Sequence, residues 1–225
     1  MRGDPIARQG DDEGCRHDEA MRVVARAREV DPLSALDYAM SSQVAFQARE
    51  YATALEFARR AVAIDPDFWV GHMMSGQAYD LLGNPDLALE AATVAGRLSG
   101  GNSKPLSLRG YILARLGRRD EARDVLAVFT EVSRHRYVPA YASALVHAGL
   151  NEADEAFTAL DRALAARDVH LIFLPVDAKW DALRTDPRFA RVVEQSVGFL
   201  PRRSVGYRAE NRASGNSDRS NRLRP

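Results

Sequence analysis

Trp69–Asn102 reads WVGHMMSGQAYDLLGNPDLALEAATVAGRLSGGN, and this stretch decides the fold. Gly83 divides it. A glycine at the end of an apolar run supplies the left-handed residue that closes a helix, and the polar and acidic residues after it open the next one. Two helices joined by so short a turn lie antiparallel and need small residues where their axes approach. Gly76 on the first and Ala88 on the second meet that need.

The same pattern recurs outward in both directions with a period of 34. Alanine returns at Ala20, Ala54, Ala88, Ala122 and Ala156, and a second column runs Ala27, Ala61, Ala95, Phe129, Ala163. A third column is small throughout (Ser42, Gly76, Gly110, Ala144), and the turn column reads Arg49, Gly83, Gly117, Asn151. By analogy with Gly76 and Ala88, Gly110 is expected to pack on Ala122. Apolar residues at helical spacing, such as Leu55, Ala58 and Val62, complete each inner face. Asp31-Pro32 and Asp65-Pro66 end two of the second helices, because proline disfavours helix at the residue before it.

Register therefore predicts helices over 17–30, 34–47, 50–64, 68–82, 85–98, 104–116, 119–133, 138–149 and 152–166. Residues 167–198 follow as a helical cap in shorter pieces, with Asp186 as N-cap, Pro187 in the first turn and Phe189 turned inward. Residues 1–15 hold glycine, proline and clustered acids where a partner for helix 17–30 belongs. They read as a disordered segment, and the chain as the carboxyl-terminal piece of a longer array. Residues 199–225 read as a disordered tail, with seven arginines against Glu210 and Asp218.

The whole chain has 225 residues with 31 basic and 31 acidic side chains, a net charge of zero. That balance removes nucleic acid and anionic lipid as default partners of the whole molecule. It is a cancellation between the array and the basic tail, so a nucleic-acid contact is reserved to residues 201–225. No secretory leader and no apolar run of membrane-spanning length occurs, which implies a soluble, cytoplasmic chain with no membrane partner. Cys15 is the single cysteine and cannot form an internal disulfide.

Trp69, Gly76, Tyr79, Gly83, Ala88 and Ala95 stand where the tetratricopeptide repeat carries its pattern, and residues 16–166 resemble that family over four repeats and a preceding half. The resemblance implies an all-α, right-handed solenoid of antiparallel helix pairs. Repeat one departs from the pattern at Ser42 and Ala45, and looser packing is expected there. The strings RHRYVPAYASALVHAGLNEADEAFTALDRAL and FLPVDAKWDALRTDPRF resemble the ends of tetratricopeptide arrays fused to bacterial Ser/Thr kinases, nucleotide cyclases and winged-helix regulators. The motifs of those effectors are missing from this sequence.

The residues carry no catalytic constellation. His17, His72, His135, His147 and His170 show no zinc-helix spacing and no cysteine cluster joins them, so no metal, cofactor or enzymatic activity is expected. What remains is a surface. In such a stack the first helices line a concave groove, whose expected partner-binding residues are Gln43, Gln47, Met73, Gln77, Asp80, Lys104, Tyr111 and Arg115. Ala39, Phe46, Ser107, Tyr141 and Leu145 share that face. Amides that can bond main chain, with Met and Tyr for adaptable contact, suit an extended peptide or a partner helix. Family members that clamp a chaperone's carboxylate tail use positions equivalent to Ala39, Gln43, Met74, Lys104 and Leu108. Only Lys104 fits, which argues against that ligand. The expected function is thus a non-catalytic protein–protein scaffold in bacterial signalling. The alternative is a carboxyl-terminal regulatory module of a larger kinase, cyclase or transcriptional regulator. Partner identity and oligomeric state stay open at this stage.

Overall fold

The computed structural model describes the backbone of residues 5–197 and the side chains of residues 17–196. The tail at 199–225, the proposed nucleic-acid contact within it and the Cys15 side chain lie outside what is described. The described chain is helical from end to end. Four antiparallel pairs follow α1 (Pro5–Val30), namely α2 (Ala35–Gln47) with α3 (Tyr51–Ile64), α4 (Trp69–Leu81) with α5 (Pro85–Leu98), α6 (Ser103–Arg115) with α7 (Arg119–Val132), and α8 (Ala140–Gly149) with α9 (Ala153–Ala165). Two 3-10 helices, Val169–Phe173 and Ala178–Leu183, lead to α10 (Pro187–Val197). No helix among the described residues is long and apolar enough to cross a membrane.

The turn column does what its position requires. Arg49, Gly83, Gly117 and Asn151 all adopt positive φ, between 58° and 76°. In every pair the next amide reaches back along the preceding helix, Glu50 to the Ala45 carbonyl, Asn84 to Tyr79, Arg118 to Leu113 and Glu152 to His147, at 2.9–3.0 Å. One cap geometry repeats four times and keeps the pairs alike. Arginine and asparagine hold a conformation that glycine takes without strain, so this column repeats in shape rather than in residue type.

The small column explains how closely the helices meet. A Cβ on Gly76 would lie 3.2 Å from the Ala88 carbonyl and 3.3 Å from the Ala92 amide, which is the pairing that register implies. Gly110 differs. Its missing Cβ faces Val146 at 2.8 Å and Val125 at 3.2 Å before Ala122, because α8 packs far more extensively on α6 than on α7. The connection 133–139 is longer than the turns 65–68 and 99–102, and it lets α8 slide across to the first-helix side. Repeat one is not loose either. Ser42 and Ala45 are fully buried, and the Ser42 hydroxyl donates to the Ala54 carbonyl at 2.7 Å in place of direct packing.

At the amino-terminal side the helix begins at Pro5 rather than near 17, which corrects the reading of 1–15 as a disordered segment for residues 5–15. Proline suits a first turn, and residues already joined to a docked helix add one hydrogen bond each without a new nucleus.

Candidate functional site

Beyond α9 three aspartates, Asp168, Asp177 and Asp186, start the three remaining helical pieces. Asp168 accepts from the His170 amide, Asp177 from the Lys179 amide and Asp186 from the Arg188 amide, at 2.9–3.0 Å. The first two turns lead the chain across the first-helix face instead of past the end of the stack. Trp180 is completely buried, and its indole N–H donates to the Tyr141 hydroxyl at 2.8 Å with the rings edge to face. Lys179 goes further, to the first two repeats. Its ammonium pairs with Asp177 at 2.8 Å, donates to the Gln77 side chain at 3.4 Å, and stands 4.7 Å from the Phe46 ring centre. Asp181 then takes the Arg49 guanidinium bidentately at 2.7 and 2.8 Å. The Arg49 pair holds the Asp181 carboxyl below the usual carboxylate range, with Arg184 adding to the effect.

The concave face is therefore partly filled by this chain's own residues 170–181, which register alone does not place there. The reason is physical: first-helix columns identify a face, while what covers that face depends on a distant segment. Of the expected residues, Gln43, Gln47, Met73, Gln77 and Lys104 line a pocket of about 50 Å³, together with Ser107, Tyr141 and Leu145. His170, Phe173, Asp177 and Lys179 form its other wall. Met73 and Gln77 are buried there, as Phe46 is beside them.

Asp80, Tyr111 and Arg115 gather into a separate cluster. Arg115 bonds the buried Asp80 carboxylate at 2.6 Å and lies over the Tyr111 ring at 5.7 Å. Burial raises the Asp80 carboxyl despite Arg115 beside it, and burial pushes the Tyr111 hydroxyl up to about 12. These three bind one another, and only Arg115 is exposed.

Two features give the pocket its chemistry. Gln47 carries a buried amide whose nitrogen and oxygen both lack a hydrogen-bond partner in the structure. The Lys104 ammonium stands 5.8 Å from the Phe173 ring centre, and burial lowers its pKa, with Lys179 adding and Asp177 opposing. The pocket lining thus holds two ammonium groups, Lys104 and the Asp177-paired Lys179, and the unpaired Gln47 amide is sealed within its wall. Among the described residues no group of three or more His, Cys, Asp or Glu side chains could hold a metal ion. Sequence reasoning missed the wall made by residues 170–179. The signal was present in VDAKWDAL (Val176–Leu183), where a capping aspartate precedes one of only two lysines and a tryptophan.

No protein-family model and no curated protein matches the sequence. Solved structures do. A thermophilic tetratricopeptide-repeat protein of Thermus thermophilus aligns over 85% of this chain and 96% of its own, with a TM-score of 0.58 and 21% identity. The Cut9–Hcn1 assembly of the anaphase-promoting complex aligns over 80% of this chain and 36% of that one, with a TM-score of 0.55 and 15% identity. Repeat register, four equivalent caps and these likenesses together identify the fold as that of a tetratricopeptide-repeat solenoid.

Proposed function

We propose that this chain is a non-catalytic scaffold that holds a short extended segment of a partner protein in the pocket left open on its concave face. The observation that carries the reading is the pocket lined by Gln43, Met73 and Lys104, in whose wall the Gln47 amide is buried with neither its donor nor its acceptor paired and becomes available where a partner opens that wall. An unpaired buried amide costs about 1–3 kcal/mol, and a peptide main chain brings the complementary pair of groups. Gln43 lies beside it, Met73 supplies an adaptable apolar wall, and Lys104 sets the charge. Asp80, Tyr111 and Arg115 stabilise the neighbouring first helices instead of touching the partner. The resemblance of 134–164 and 173–189 to arrays in bacterial signalling proteins supports a place in signalling.

Selection from a displayed peptide library against the wild-type protein tests the reading. Enriched peptides are expected to lose about tenfold or more in affinity against Gln47→Leu, which keeps the shape and removes the amide. No enrichment, or equal binding to Gln47→Leu with its helical circular dichroism unchanged, overturns it.

A further inference from the structure

The chain holds two lysines, Lys104 on α6 and Lys179 in the second 3-10 helix, and both line the concave pocket. Their surroundings differ. Lys179 is 7% exposed, and its ammonium pairs with Asp177 at 2.8 Å and donates to Gln77 at 3.4 Å. Lys104 stands on the facing wall, half-buried, with the Phe173 ring centre 5.8 Å from its ammonium. Asp177 supplies the carboxylate among the lining residues, and Lys179 takes it. Among the described residues the Lys104 ammonium makes no ion pair and no hydrogen bond.

Two like charges thus face one cavity with one carboxylate for both. An ammonium partly withdrawn from water, near a second ammonium and without a counter-ion, gives up its proton more readily than one in water. Burial and Lys179 both lower the Lys104 pKa, and Asp177 offsets only part of the effect. A neutral amine at a pocket wall is a nucleophile. Lys179 is the unreactive member of the pair, enclosed and engaged by Asp177 and Gln77. The product decides which electrophile suits Lys104. Acylation leaves a neutral amide, whereas a Schiff base keeps the positive charge in its iminium form.

We propose that Lys104 is an acylation site, whose ε-nitrogen takes the acyl group of a small thioester. The ammonium releases one proton to solvent, and the neutral nitrogen attacks the thioester carbonyl carbon. A C–N bond forms, the C–S bond breaks, and the second proton lost by nitrogen leaves with the thiol. Acylation removes the uncompensated charge and lengthens the side chain at the pocket wall, so it regulates capture of the partner segment. That consequence rests on the binding reading above; the acylation itself does not.

Timed reaction of the full chain with S-acetyl-N-acetylcysteamine at neutral pH, read by mass spectrometry, tests the site. Lys104 is expected to react about fivefold or more faster in the native protein than in the urea-denatured chain, and Lys179 about tenfold or more slower. Lys179→Met removes the neighbouring ammonium and leaves Asp177 unpaired, so it is expected to slow Lys104 about threefold with helical circular dichroism unchanged. Reaction of Lys104 no faster in the native than in the denatured chain overturns the proposal, as does native Lys179 reacting faster than Lys104. Undiminished reaction in Lys179→Met rejects the neighbouring ammonium as the activating group. Protein acetylated at Lys104 is expected to bind library-selected peptides about tenfold more weakly than unmodified protein. Equal affinity overturns the regulatory role alone. A selection that enriches no peptide overturns the binding reading, while the acylation rates still decide the site.

Discussion

The two ends of the solenoid meet the same difficulty in opposite ways. Every repeat has two apolar flanks, and an array must cover the outermost pair. At the carboxyl-terminal end two 3-10 turns and α10 cover it, and the turns go on to reach Phe46, Arg49 and Gln77 in the first two repeats. At the other end Val23, Val30, Leu33, Leu36 and Met40 stay exposed. One end has become a long-range strut that joins repeat four to repeats one and two. The other leaves large apolar side chains exposed among the described residues. Repeats that otherwise touch only their neighbours are thereby tied together at one end, so their unfolding should be more cooperative than that of an open stack.

Substitutions can break or sharpen this contrast. The largest effect is expected from Trp180→Ala, which removes the most buried large side chain of the strut and its bond to Tyr141. A loss of about 3–5 kcal/mol is expected in urea unfolding, with the transition broadened. An unchanged midpoint would deny the strut any structural role. Next comes a paired test at one column. Met74→Ala is expected to cost about 2–5 kcal/mol and Met40→Ala about 0.5 kcal/mol or less in stability, because only the first side chain is enclosed. Equal losses would mean that the first repeat is packed like the others.

Gly110→Leu tests the shifted packing of α8. A side chain there meets Val146 and Val125, and overpacking is expected to cost about 1–3 kcal/mol. Combining it with Val146→Ala should recover part of that loss; with Ala122→Gly it should not. The smallest effect belongs to the exposed clasp. Asp181→Asn is expected to cost about 1 kcal/mol or less at neutral pH. Asp181 has its folded pKa below the unfolded value, so its contribution is complete above the unfolded value and disappears as pH falls through the folded one. Wild type and Asp181→Asn should therefore converge in stability under acid.

The repeat architecture was legible because its determinants are local and periodic. Gly83 and Gly117 announce a cap, Gly76 with Ala88 a close approach, and the same spacing aligns with them Asn151, which takes positive φ readily, and Arg49, which seldom does. The candidate site was legible only in part. Register gathers Gln43, Gln47, Met73, Gln77 and Lys104 onto one face, and these five line a common pocket. Register could not show that Asp80, Tyr111 and Arg115 satisfy one another, since that rests on a contact between α4 and α6. Nor could it show that Lys179 crosses to Gln77, a contact 102 residues apart that no periodicity encodes.

Lysine acylation followed by mass spectrometry tests the central claim, that residues 170–181 are seated in the concave groove. Lys104 and Lys179 are the only lysines in the chain, so each is read without ambiguity. Lys179 is expected to react about tenfold or more slowly in the folded protein than in the denatured chain, and Trp180→Ala to abolish that protection without loss of helical circular dichroism. Acylation of Lys179 in the native protein as fast as in the denatured chain would contradict the account.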